Sequence, residues 1–137
     1  MKIIAERLIA YLKTDNALVT LLGSADNIFP MNVPLRKEKY IVISTNVGQD
    51  QNNIPADIGE IIVEAVVSRK VANAHKICIN IVKRVDDILN KGEQNISNND
   101  YQIISFVRDN TSGLQIDSDN DEYWFSINYS FILDKSS

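Results

Sequence analysis

From residue 121 to residue 133 the chain alternates strictly enough to fix a strand. Tyr123, Phe125, Ile127, Tyr129, Phe131 and Leu133 fall on one side, and Glu122, Ser126, Asn128 and Ser130 on the other. Trp124 and Ile132 are the two exceptions. Successive side chains of a strand point to opposite faces, so one face of this segment is nearly continuous apolar surface. Such a face is stable only under a second layer, and the chain must supply one. Thirteen residues is long for a strand, which predicts a hairpin partner and a projecting end.

The covering layer is legible between residues 70 and 91. Val71, Ala74, Cys78, Ile81, Val85 and Ile88 recur at helical spacing, widened by Ile77, Val82 and Leu89, while Asn73, Lys76, Asn80, Lys83 and Asp87 form the opposite face. Gly92 is placed to end this helix. A shorter helix opens the chain through Ile3, Ile4, Leu8, Tyr11 and Leu12. Thr14-Asp15-Asn16 interrupts it, with Asp15 as N-cap of a second helix through Leu18, Leu21 and Leu22 and Gly23 after its end.

Three further strands follow from composition and alternation. Residues 40–45 are rich in β-branched side chains. Residues 58–68 place Ile61, Val63, Ala65 and Val67 on one face and Glu60, Glu64 and Ser68 on the other, and residues 101–108 form the partner of the last strand. Residues 24–38 read as loop, in which Pro30 and Pro34 limit any short strand at Ile28-Phe29 to a sheet edge. Residues 109–120 read as turns. The expected fold is α+β, in the order α-α-(β)-β-β-α-β-β: an antiparallel or mixed sheet of about four strands, with the N-terminal helices and one long helix packed on it. Residues 1–137 are expected to form one domain.

Residues 46–57 hold three Asn, two Gln, one Gly and one Pro with no regular period, and read as a long mobile loop. Long loops in compact domains are commonly functional. Gly48, Gln49, Asp50, Gln51, Asn52, Asn53 and Ile54 are therefore the candidate subunit or partner interface.

The chemistry available is sparse. One His and one Cys among 137 residues exclude an internal disulfide and a single-chain His/Cys zinc site. His75 and Cys78 are three apart on the long helix, but Cys78 lies on its apolar stripe, where burial opposes thiolate formation. Asp117-Ser118-Asp119-Asn120-Asp121-Glu122 resembles the start of a calcium loop, yet Glu122 and Asn128 stand where the pattern needs Gly and Glu. The five glycines are isolated, so no phosphate-cradling loop exists. Glu60 and Glu64 read as the wet face of a strand, and Arg69, Lys70, Lys76, Lys83 and Arg84 as a solvated helix face. No catalytic residue, cofactor or metal is expected. A net charge of −4 argues against broad nucleic-acid binding, and no apolar run approaches the roughly 18 residues that span a membrane. A soluble, cytoplasmic chain with a scaffold or assembly role is the expectation.

Four stretches resemble the tail-terminator, or tail-completion, proteins of long-tailed bacteriophages and prophages. Leu12 to Gly23 is similar to the family's "L-x-x-D-x-x-L-x-x-L-x-G" opening. Ile28-Phe29-Pro30, Val33-Pro34 and Tyr40 to Ile43 look like its "I-(Y/F)…P…YPYVVI" stretch. Ile62 to Arg69 resembles the strand before its long helix, and Ile103 to Arg108 with Tyr123 to Leu133 its closing strand pair.

The resemblance implies a non-enzymatic ring, commonly a hexamer. Such a ring caps the head-proximal end of the tail tube, stops tube growth and meets the head-tail connector or stopper protein. DNA is passing cargo through the lumen. The implied location is the virion, after assembly in the host cytoplasm. On this reading Asp117, Asp119, Asp121 and Glu60 are candidates for an acidic lumen or hairpin tip that lets DNA slide. The alternatives are another head-tail connector or neck component, or a small monomeric regulator that binds one protein.

Overall fold

The computed structural model describes residues 2–31, 37–47, 56–90 and 101–135. Two N-terminal helices, α1 (Lys2–Lys13) and α2 (Asn16–Leu22), are followed by a 3-10 turn at Ala25–Asn27. Then come β1 (Ile28–Pro30), β2 (Lys39–Val47), β3 (Ala56–Ser68), α3 (Ala74–Leu89), β4 (Tyr101–Thr111), β5 (Gln115–Asp117) and β6 (Glu122–Lys135).

The six strands form one mixed sheet in the order β1-β2-β3-β6-β4, with β5 also paired to β6. β1 runs parallel to β2, and every other pairing is antiparallel. The α+β class is as the sequence predicts, with six strands rather than about four. β1 is the short strand that Ile28-Phe29 allows, whereas β5 lies in the stretch read as turns; each has three residues, too short to show a period of two. β1 lies at the sheet edge, as its proline requires.

The break between α1 and α2 follows from Asp15. Its Oδ1 accepts the Leu18 backbone N–H at 2.8 Å, which satisfies one of the donors a helix start leaves open. Gly23 closes α2 at φ +86°, where a side chain would be strained, and its N–H bonds to the Val19 carbonyl at 2.8 Å. The long helix starts at Ala74, later than its apolar stripe implies. Asn73 adopts the left-handed conformation, φ +58°, which cannot continue a right-handed helix toward Val71. Val71 still packs on the core from the preceding turn. The helix ends at Leu89 with Asn90 as its cap; Gly92 lies outside the described residues.

The core is one layer between the helices and the sheet. Leu8, Leu12, Leu18 and Leu22 meet Ile41, Ile43, Ile61, Val63 and Val67 from the sheet, and α3 adds Cys78, Ile81, Val85 and Leu89. From β6, Ile127, Tyr129 and Phe131 are fully buried. Phe125, on the same face, is only half-buried, because it sits at the rim of the helix layer. The side chains of Ile3, Ile4 and Leu133, expected on apolar faces, lie outside the described residues. β6 has no projecting end: β3 pairs with it from Glu122 to Asp134, and β4 from Ile127 to Lys135.

Candidate functional site

Two polar clusters tie the helices to one another and to the sheet. In the first, Arg84 on α3 grips the Asp15 carboxylate through both of its oxygens. The Arg84 hydrogen bond holds the Asp15 carboxyl below the usual carboxylate range, against the opposing effect of burial. In the second, Asp86 on α3 accepts the Tyr129 hydroxyl at 2.9 Å and the Arg108 guanidinium at 2.8 Å. One carboxylate thereby ties α3 to both β6 and β4. Burial, then the hydrogen bond to Asp86, pushes the Tyr129 phenol well above its ordinary value. Phe106 of β4 stacks on Tyr129 with ring centres 5.0 Å apart.

The opposite face of the sheet carries no helix among the described residues. Tyr40, Val66 and Trp124 form one row across β2, β3 and β6, and Val42, Glu64 and Ser126 form the next. A groove of about 280 Å³ lies there, lined by Tyr40, Val42, Glu64, Val66, Asp117, Glu122 and Trp124. Glu122 was expected in water and is only 5% exposed. It pairs with Ser68 on β3 and Asp117 on β5, so neighbouring backbone closes over it on both sides.

The acidic candidates do not form one patch. Glu60 is exposed and pairs with Ser130, whereas Asp117 pairs with Glu122. Eight residues of β6 separate those positions, roughly 26 Å at the rise of a strand. Asp117 is engaged in its own turn: Oδ1 accepts the Asp119 and Asn120 N–H groups, and Oδ2 accepts the Asn120 side-chain amide. Asp121 sits at φ +55°, 3.5 Å from the Arg69 guanidinium. Asp119 points into solvent at the hairpin tip. Asp117, Asp119 and Asp121 thus share the turn before β6, and Glu60 stands apart at the far end of β3.

The segment 46–57 is shorter as a loop than its composition implies. β2 continues through Val47 and β3 begins at Ala56, because the ladder between them extends to the Val47–Gly59 pair. The interface candidates Gly48, Gln49, Asp50, Gln51, Asn52, Asn53 and Ile54 lie outside the described residues.

His75 and Cys78 are not a catalytic pair. The Cys78 thiol is fully buried and points at the Ala65 carbonyl, 3.7 Å away. Burial, aided by the charge of Glu64, pushes the thiol up to about 12. His75 is exposed, with its ring edge-on to Tyr123. Among the described residues no three His, Cys, Asp or Glu side chains are grouped to hold a metal ion, and no helix is long and apolar enough to cross a membrane.

Two further grooves flank the helix layer at opposite ends of the sheet. One, of about 400 Å³, runs along α1 and is lined by Ala5, Glu6, Ile9, Ala10, Lys13 and Pro30. The other, of about 410 Å³, lies between α3 and β4, with Val82, Phe125 and Ile127 among its apolar residues and Lys83, Arg108 and Asp109 among its charged ones. Neither is legible from sequence, because each combines elements distant along the chain.

No protein-family model and no curated protein matches the chain. Among solved structures it is similar to a chain in the virion of a native gene transfer agent (GTA) particle. The TM-score is 0.67 at 10% identity, covering 92% of this chain and 90% of that one. At that identity the likeness is one of fold.

Proposed function

We propose that this chain is a structural, non-enzymatic component of a phage-like virion, and specifically a tail terminator that closes the head-proximal end of a tail tube. The observation that carries the reading is the fold shared with a GTA virion chain across almost the whole of both chains. The order of the four sequence stretches, from Leu12–Gly23 to the closing strand pair, supports the same assignment independently.

On this reading the chain acts by assembly. Copies join head to tail into a closed ring, expected to be a hexamer, because a cyclic ring of more than two copies needs two different patches on each. The Asp15 cluster holds α2 to α3, and the Asp86 cluster holds α3 to β6 and β4, so that both patches are presented rigidly. The ring contacts the tail tube protein on one side and the head-tail connector or stopper on the other. Each copy contributes a charge of −4, and a lumen lined by acidic groups such as Asp119 repels DNA and lets it slide.

The test is electron microscopy of the purified protein mixed with its cognate tail tubes. Tube ends closed by a ring of added density support the assignment. Binding to the head connector with bare tube ends would instead make the chain a neck component. A ring structure with a basic lumen would overturn the acidic-channel part of the reading.

A further inference from the structure

Resting on the ring reading above, we infer that one copy meets the next front to back: the outer face of α3 seats on the helix-free face of the neighbour's sheet. The strands sort their charges by face. Glu60 and Glu64 alternate with the core residues Ile61, Val63 and Ala65, so they point away from the helices. Asp117 pairs with Glu122 on that same face, and Asp109 bonds the Ser130 hydroxyl there. The basic strand residues go the other way. Lys39 pairs with Val67 and Arg108 with Tyr129, both core positions, and Asp86 holds Arg108 on the helix side. Among the described side chains of the strands, the helix-free face therefore carries carboxylates and no Lys or Arg.

The outer face of α3 has the opposite sign. Lys76 and Lys83 are exposed two turns apart with Asn80 between them, and Lys70 is exposed just before the helix. Asp87 lies one turn beyond, where the Arg84 charge offsets it. Among the described residues Glu60, Lys76 and Lys83 make no ion pair within the chain. Seven residues of helix separate the two lysines by about 10 Å, and four residues of strand separate Glu60 from Glu64 by about 13 Å, a difference that flexible lysine stems span. Ser126, Asn128 and Ser130 lie across from Glu64, Ile62 and Glu60, and offer Asn80 hydrogen-bonding groups. Val107, 54% exposed and paired with Ser130, is placed for a lysine stem to cover. Contact between like faces sets carboxylate on carboxylate or lysine on lysine, which repulsion opposes. Unlike patches on opposite sides of one copy make a heterologous contact that repeats around a ring. Glu60, apart from the acidic turn, is thereby assigned to this contact and not to the lumen.

A carbodiimide, which joins a carboxylate to an amine where the two touch, tests this together with native mass, on the protein alone and on its tail tubes. Glu60 and the α3 lysines lie on opposite sides of one chain, so a link between them joins two copies. Links from Glu60 to Lys76 or Lys83 are expected in multimers that shrink at high salt. Glu60→Lys, and separately Lys76→Glu with Lys83→Glu, should each lose the multimer. An equimolar mixture of the two variants should regain it, because each altered face then meets its complement, and that recovery also shows both variants folded. A multimer that persists in either variant, that links through other residues, or that the mixture fails to restore overturns the contact and leaves the ring reading standing. A parent protein that stays monomeric under both conditions, with no cross-link, overturns both.

Discussion

Asp15 and Arg84 stand 69 residues apart in sequence and are joined by two parallel hydrogen bonds, Nε to Oδ1 at 2.9 Å and Nη2 to Oδ2 at 2.6 Å. The same carboxylate caps α2 through the Leu18 N–H. One side chain therefore starts a helix and fastens it to α3. The planar guanidinium matches both carboxylate oxygens, which an ammonium group would not.

This pair gives the protein an acid limb. The folded-state pKa of Asp15 is lowered from 3.8, chiefly by the Arg84 hydrogen bond. Its contribution is complete above that ordinary value and is lost as pH falls through the lower folded one. Asp15→Asn, which keeps a capping oxygen but no charge, should flatten the loss of stability as pH falls below 3.8, as followed by urea unfolding. Asp15→Ala loses the cap as well and should cost about 1–2 kcal/mol at neutral pH. An Asp15→Asn profile as steep as that of the parent protein would assign the acid limb to other carboxylates.

The rim position of Phe125 separates two aromatic residues that sequence alone ranks together. Phe131 is 1% exposed inside the core, so Phe131→Ala should cost about 3–5 kcal/mol. Phe125→Ala should cost less, because that ring is only partly buried where it lines the α3–β4 groove. Denaturant midpoints of the two variants decide it. Equal losses would mean that the groove is closed in solution.

What the sequence could reveal divides along a physical line. The alternation of β6 and the wide stripe of α3 are periodic over many residues, and both elements form, with Ile127, Tyr129 and Phe131 of the one and Cys78, Ile81, Val85 and Leu89 of the other in the core. The start of α3 escaped, because a single backbone conformation at Asn73 overrides the apolar spacing. Glu122 escaped because its burial comes from cross-strand neighbours, Ser68 and Asp117, that alternation does not identify. Of the candidate site, the acidic turn was legible from its Asp and Asn residues. The two flanking grooves were not, since each is made by side chains brought together only by the finished sheet.

Tyr129 should prove more than an apolar residue. Its ring is fully buried, and its hydroxyl donates to Asp86, which also holds Arg108. Tyr129→Phe removes one bond to a charged acceptor while leaving the ring stack with Phe106, and should cost about 1–3 kcal/mol. In a double-mutant cycle with Asp86→Asn, the two losses should add to more than the joint loss. Strict additivity would show that the hydroxyl and the carboxylate do not act as a unit.

Cys78 should be silent in the folded protein and decide its alkaline limit with Tyr129. The thiol is raised from 9.0 to about 12, first by burial and then by the Glu64 charge. A raised folded pKa means that its contribution is fully present below pH 9 and is lost as pH climbs toward 12. Tyr129 is raised in the same sense from 10.0, so it adds to the limb at a higher pH. A maleimide at pH 8 should label the native chain only as fast as it unfolds, and label it at once in urea. Cys78→Ala should soften the stability loss that begins above pH 9, leaving the later Tyr129 part. Rapid, complete labelling of the native protein would mean that the helix layer opens at α3, and the rigid presentation of the α3–β4 groove would fail with it.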